Sequence, residues 1–203
     1  SQFLENKQHF WYVVPFHYGI LAVTVGHLIA FLIPRSILAW NAHPLRLYVL
    51  EVSALACGLL TLIGLVGLIM RRASITRIRQ VTSVNDWVLF VMLLVQTASG
   101  VGVALFHPWG SSWFAASAVP YLRSLFLFQP DVEMIKPLPH IVKTHIINAF
   151  LLIAIFPFSR LVHMVSLPVE YLWRPYQVVI WNWNRKKIRG QYPRTNTEPN
   201  EDR

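Results

Sequence analysis

The stretch KTHIINAFLLIAIFPFSRLVHMVSLPVE, residues 143–170, decides the reading of this chain. It is apolar enough to cross a bilayer, yet it carries His145 and His163. On a continuous helix eighteen residues make five whole turns, so both imidazoles leave one face, roughly 27 Å apart along the axis. An ionisable or ligating group at membrane depth is costly without a partner. The rest of the sequence is therefore searched for groups that would pair with two stacked histidines.

Composition points the same way. Of 203 residues, 55% are hydrophobic and only 13% charged, which is too apolar for an ordinary soluble domain. The net charge of +9 sits between apolar runs and in the tail, where it acts as a topology signal, so the chain is not read as nucleic-acid binding. Cys57 is the one cysteine, which excludes a chain-borne iron–sulfur cluster, a disulfide framework and a covalent CxxCH haem site. Any redox centre must be held by histidine or supplied by a partner. No cleavable signal peptide is visible in SQFLENKQHF, and the sequence starts without methionine.

Four spans are expected. The first, residues 10–33, is long enough for a hydrocarbon core of about 30 Å and carries His17 and His27, roughly 15 Å apart along its axis. Pro15 falls in its first two turns, where a lost donor matters least. Gly19 and Gly26 form a flat strip beside the histidines, suited either to close helix packing or to a cofactor. After a short connection at 34–44 come a second span at 47–70, which contains Glu51, and a cluster of four arginines between Arg71 and Arg79. A third span covers 86–105. The segment 107–139 is read as a folded-back loop whose interfacial part is 115–127. The fourth span, 138–167, is interrupted by Pro157, where a kink or tilt is expected. These spans form a transmembrane domain at 10–170, followed by a basic and aromatic tail at 171–203.

The arginine cluster and the tail lie two spans apart, hence on one side, and their basic residues make that side cytoplasmic. The histidine-bearing spans are then antiparallel. His17 and His163 become the inner pair, and His27 and His145 the outer pair. A lone membrane histidine is more often a hydrogen-bonded core residue than a ligand. Four in this order read as two bis-histidine sites for b-type haem, which needs no covalent attachment. Tilt, the Pro157 kink and inclined porphyrins must absorb the mismatch between about 15 Å on one helix and about 27 Å on the other. Zinc or copper would need three or four ligands around one ion, and two separated pairs do not offer that. A proton or ion transporter would show acidic residues or broken helices at mid-membrane, where only Glu51 is available. His9, His43, His107 and His140 fall at span ends or in loops and are read as solvated.

The runs PFHYGILAVTVGHLIAFLIP and VKTHIINAFLLIAIFPFSRLVHMVSLPVEYL, with the arginine-rich loop between the middle spans, resemble the gamma subunits of respiratory nitrate reductases, a family of dihaem b-type cytochromes. The resemblance covers nearly the whole chain, although the long outer loop matches poorly. It implies the same pairs, His17 with His163 and His27 with His145, and an additional helix before residue 1. It further implies quinol oxidation near the outer haem, with a basic residue at the start of the second span taking part, so Gly26, His27 and Arg46 are the expected quinol-binding residues. Electrons would pass inward through two b haems to an iron–sulfur subunit and a molybdenum-containing catalytic subunit. The chain would thus be a multi-pass anchor in the cell (inner) membrane, with a cytoplasmic C-terminus, in contact with lipids and the quinone pool. The same fold also serves complexes linked to nitrite oxidation and sulfite reduction. A purely structural anchor, without paired histidines, is the non-redox alternative.

Overall fold

The computed structural model describes residues 2–164, with side chains described over residues 10–162. The His163 imidazole and the expected tail at 171–203 lie outside the described residues. No strand occurs among the described residues. The α-helices are α1 (Gln2–Leu32), α2 (Pro34–Asn41), α3 (Pro44–Ser74), α4 (Thr76–Gln80), α5 (Val84–Phe106), α6 (Gly110–Trp113), α7 (Val119–Phe126) and α8 (His140–Ile155). A π-helical turn, Phe114–Ala118, joins α6 to α7, and 3-10 turns lie at Val132–Met134, Phe156–Phe158 and Arg160–Met164.

Four helical stretches are long and apolar enough to cross a membrane: Phe10–Leu32, Pro44–Ser74, Val84–Phe106 and His140–Phe158. The number matches the sequence reading, and the chain is a multi-pass membrane protein. Its surface fits lipid rather than water. Leu21, Val25, Leu28 and Leu32 on α1 and Val84, Val88, Val91 and Val95 on α5 form exposed apolar stripes at helical spacing.

The packed pairs follow chain order: α1 lies on α3, α3 on α5, and α5 on α8. Small residues bring α1 and α3 together. A methyl group on Gly19 would stand 2.7 Å from the Cys57 carbonyl, and one on Gly64 would stand 2.6 Å from the Phe16 nitrogen. Backbones this close give van der Waals contact that larger side chains would forbid. Leu65, Leu89 and Leu93 form the buried centre, with Phe16, Ile20, Leu152 and Leu161 packed around them, so all four spans meet there.

Three local expectations change. Because α1 begins at Gln2, Pro15 lies in its interior rather than in its first two turns. The Trp11 carbonyl therefore has no backbone donor at residue 15, a loss that membrane helices tolerate when neighbours compensate. The connection after the first span is not a plain loop, since Pro34 opens α2 at a position where its missing N–H costs nothing. The largest change is in the fourth span. α8 stops at Ile155, a 3-10 turn holds Pro157, and Ser159 is extended at φ −114°, ψ 168°. His145 and His163 therefore do not share one continuous helix, and the reading of five whole turns and about 27 Å between them is withdrawn.

The break has an evident anchor. Ser83 and Asp86 form a reciprocal capping box at the start of α5: the Ser83 N–H donates to Asp86 Oδ2 at 3.0 Å and the Asp86 N–H to Ser83 Oγ at 3.2 Å. Asp86 is only 5% exposed and accepts from Arg160 Nε at 2.8 Å, with Arg72 of α3 at 3.7 Å. Arg160 is thus pulled back to α5 immediately after the extended Ser159.

Candidate functional site

His17, His27 and His145 all have described side chains, and each has its Nδ1 engaged. His17 Nδ1 lies 2.8 Å from the Val13 carbonyl and His27 Nδ1 lies 2.9 Å from the Val23 carbonyl, both one turn back on α1. A carbonyl can only accept, so Nδ1 carries the proton in both rings. His145 reaches the same state differently. Ser99 Oγ donates its proton to the Gln96 carbonyl at 3.1 Å and accepts from His145 Nδ1 at 3.0 Å.

The rings of His27 and His145 face each other across the space between α1 and α8, with centroids 6.4 Å apart and planes inclined by 37°. Two imidazoles on opposite sides of one iron, with bonds of about 2 Å and ring centres about 1 Å behind the ligating nitrogens, need centroids about 6 Å apart. The outer pair therefore fits axial ligation in spacing and in tautomer. Gly26, next to His27, would have no atom within 4 Å of an added methyl. The two glycines of the expected strip thus divide: Gly19 serves helix packing and Gly26 borders open space. For the inner pair, His17 is placed on α1 and the backbone of His163 in the 3-10 turn Arg160–Met164.

His145 sits in a polar setting that the sequence reading did not assemble. Asn148 on α8 donates to the Met92 carbonyl at 2.9 Å and to Gln96 Oε1 at 2.7 Å, which turns the Gln96 amide nitrogen toward His145. That nitrogen stands 3.1 Å from Nε2 and 3.3 Å from Nδ1. The two ring lone-pair directions diverge, so near-equal reach to both places the amide against the ring, not on one lone pair. On the α5 backbone, a methyl at Gly100 would stand 2.9 Å from His145 Cε1. The signal for this cluster was present in the sequence as Gln96, Ser99 and Asn148, polar residues inside apolar spans.

The outer loop is tied down over this end. Glu51 of α3 accepts from the Ser111 N–H at 2.8 Å and from Ser111 Oγ at 2.6 Å, while Asn41 of α2 donates to Ser111 Oγ and Ser112 Oγ at 2.9 Å. Phe114, in the π turn that follows, meets the His27 ring edge-on at 5.2 Å. The stretch expected at 115–127 is thus the later part of a longer helical run, α6 to α7. Arg46, expected beside His27, has its guanidinium over Trp40 at 5.2 Å, at the start of α3. Its backbone carbonyl also accepts from Trp40 Nε1 at 3.3 Å.

Known proteins carry the same sequence pattern. The family described as nitrate reductase gamma subunit matches residues 1–182. The nitrate reductase gamma chain of Bacillus subtilis is 33% identical over 181 residues, covering 88% of this chain and 81% of that one. The respiratory nitrate reductase 2 gamma chain of Escherichia coli is 33% identical over 185 residues, covering 88% of this chain and 80% of that one.

Proposed function

The chain belongs to the nitrate reductase gamma subunit family, and on that footing we propose that it is the dihaem cytochrome b of a quinol-oxidising nitrate reductase complex. His27 with His145 would hold an outer haem and His17 with His163 an inner one, and the two haems supply one-electron carriers between a two-electron quinol and the soluble subunits.

The observation that carries this reading is the His27–His145 pair, with its 6.4 Å centroid spacing and both Nδ1 atoms engaged. Hydrogen-bonded Nδ1 atoms fix the tautomer, aim the rings and strengthen Nε2 as a donor. The chain's other residues exclude water and place the substrate. Gly26 leaves room beside His27 for a flat quinol ring, and Arg46, close in sequence to the outer loop contacts, would hold a quinol oxygen once released from Trp40. Phe114 and the tethered loop screen that end from solvent.

Orientation follows the basic residues. The loop between Arg71 and Arg79 and the tail at 171–203 face the cytoplasm, and the tethered loop faces outward. With no cysteine cluster of its own, the chain must pass electrons to a partner that carries iron–sulfur centres. The molybdenum-containing catalytic subunit would lie beyond that partner. The basic loop, and separately the aromatic tail, are the segments proposed for docking, since arginine and aromatic residues are favoured at interfaces.

The test is an absorption and redox spectrum of the intact complex in membranes. Two b-type components, both reducible by quinol, are the expected result. A complex lacking both, or one that reduces nitrate with quinol after all four histidines are replaced, would leave the chain as a structural anchor.

A further inference from the structure

His17 and His27 each anchor Nδ1 on a carbonyl of their own helix, so their ring orientation travels with α1. His145 does not follow that habit. Its Nδ1 partner is Ser99 on the neighbouring α5, its face is buttressed by Gln96, and its Cε1 edge lies against Gly100. Gln96 is in turn held by Asn148, one turn beyond His145 on α8. α5 carries none of the four histidines, yet Gln96, Ser99 and Gly100 on it all meet this ring.

We propose that Ser99 and Gln96 are positioning residues for His145, with Ser99 accepting the Nδ1 proton and Gln96 fixing the rotation of the ring, so that α5 sets the electronic character of the outer haem. This rests on the reading of His145 as an axial ligand. An imidazole whose Nδ1–H is donated to a good acceptor is a stronger electron donor to iron and favours the oxidised state. The Ser99 hydroxyl is held in the accepting role because its one proton is committed to the Gln96 carbonyl. Gln96 cannot turn away without breaking its bond to Asn148, in a setting where an unpaired amide is expensive. Ser99 meets the ring at Nδ1, and the Gln96 amide nitrogen stands 3.1 Å from Nε2. Their effect is transmitted through His145.

The experiment uses the intact complex in membranes, with potentiometric titration of each haem component and low-spin electron paramagnetic resonance. Ser99→Ala is expected to move the outer component to a higher midpoint potential and to shift its g-values, while the inner component stays in place. Ser99→Thr, which keeps the hydroxyl, should restore both readings, and Gly100→Ala should change the outer g-values by displacing the ring. If Ser99→Ala fails to assemble, Ser99→Cys, with similar size and a weaker acceptor, should give a smaller shift in the same direction. The proposal is overturned if these variants leave the outer component unmoved, or if both components shift together. His145→Ala separates the two levels of failure. Loss of the outer component there, with Ser99→Ala silent, sinks this inference alone; retention of both components sinks the ligand assignment beneath it.

Discussion

The imidazoles of His27 and His145, contributed by the first and last membrane spans, stand 6.4 Å apart centroid to centroid. That spacing is what two imidazoles binding one iron would need. If they ligate one haem, His27→Ala and His145→Ala should delete the same spectral component, and His17→Ala and His163→Ala the other. Redox titration of the four single variants checks this. Loss of one component by both His17→Ala and His145→Ala would break the pairing.

The glycines should separate cofactor space from helix packing. Gly64→Ala drives a methyl to within 2.6 Å of the Phe16 backbone, and overpacking of this kind costs about 1–3 kcal/mol. A lower thermal midpoint of the purified chain, with haem content following stability, is the expected outcome. At Gly26 an added methyl has no atom of another element within 4 Å, so Gly26→Ala should not lower the thermal midpoint, while it should lower outer haem content or quinol oxidation.

Arg46→Ala should retain both haems and weaken quinol binding. A charge-assisted hydrogen bond worth about 1.5 kcal/mol corresponds to roughly tenfold in the KM for quinol. Steady-state quinol oxidation by membranes measures it, with Arg46→Lys closer to the parent. Unchanged kinetics would reduce Arg46 to its contact with Trp40.

Arg160→Ala should cost more than the exposed position of Arg160 suggests, because it strips the nearest cation from a carboxylate that is only 5% exposed. The loss should fall between about 1 and 3 kcal/mol, above an exposed pair and below a fully buried one. Limited proteolysis should then cut within residues 157–164, and the inner haem should be depleted before the outer one. Equal loss of both haems would mean that the contact supports the whole bundle rather than the segment that carries His163.

Deleting the chain from Trp173 onward should release the soluble subunits and leave both haems reducible by quinol. Co-purification and a quinol-reduced spectrum read the two effects independently. A truncated chain that keeps its partners and full turnover would make the tail a lipid contact.

The spans were legible because each is an apolar run of membrane length, and the common depth of His27 and His145 followed from counting residues along two antiparallel spans. What escaped the sequence depends on contacts between distant residues. Pro157 announced an interruption; that Arg160, just beyond the fourth span, would pair with Asp86 at the start of α5 was not readable. The capping box at Ser83 and Asp86 was readable as a local pattern; that Asp86 would also receive two arginines was not. Gln96, Ser99 and Asn148 were visible as polar residues in apolar helices, but only the docking of α8 on α5 determines that they converge on His145. The Glu51–Ser111 tether is hidden for the same reason, since it joins the second span to the loop after the third.

The placement of His27 on α1 and His145 on α8 has a consequence for biogenesis. In the proposed pairing one ligand of each pair lies on α1, and its counterpart is made only after the two spans α3 and α5 have been threaded into the bilayer. If that pairing holds, neither haem would gain its second histidine on a nascent chain that lacks α8 and the turn behind it. Haem capture thereby becomes a report that translation and insertion have both finished. A prematurely terminated product would then lack one histidine of each proposed pair, and would be chemically distinguishable from the mature subunit before any partner has to recognise it.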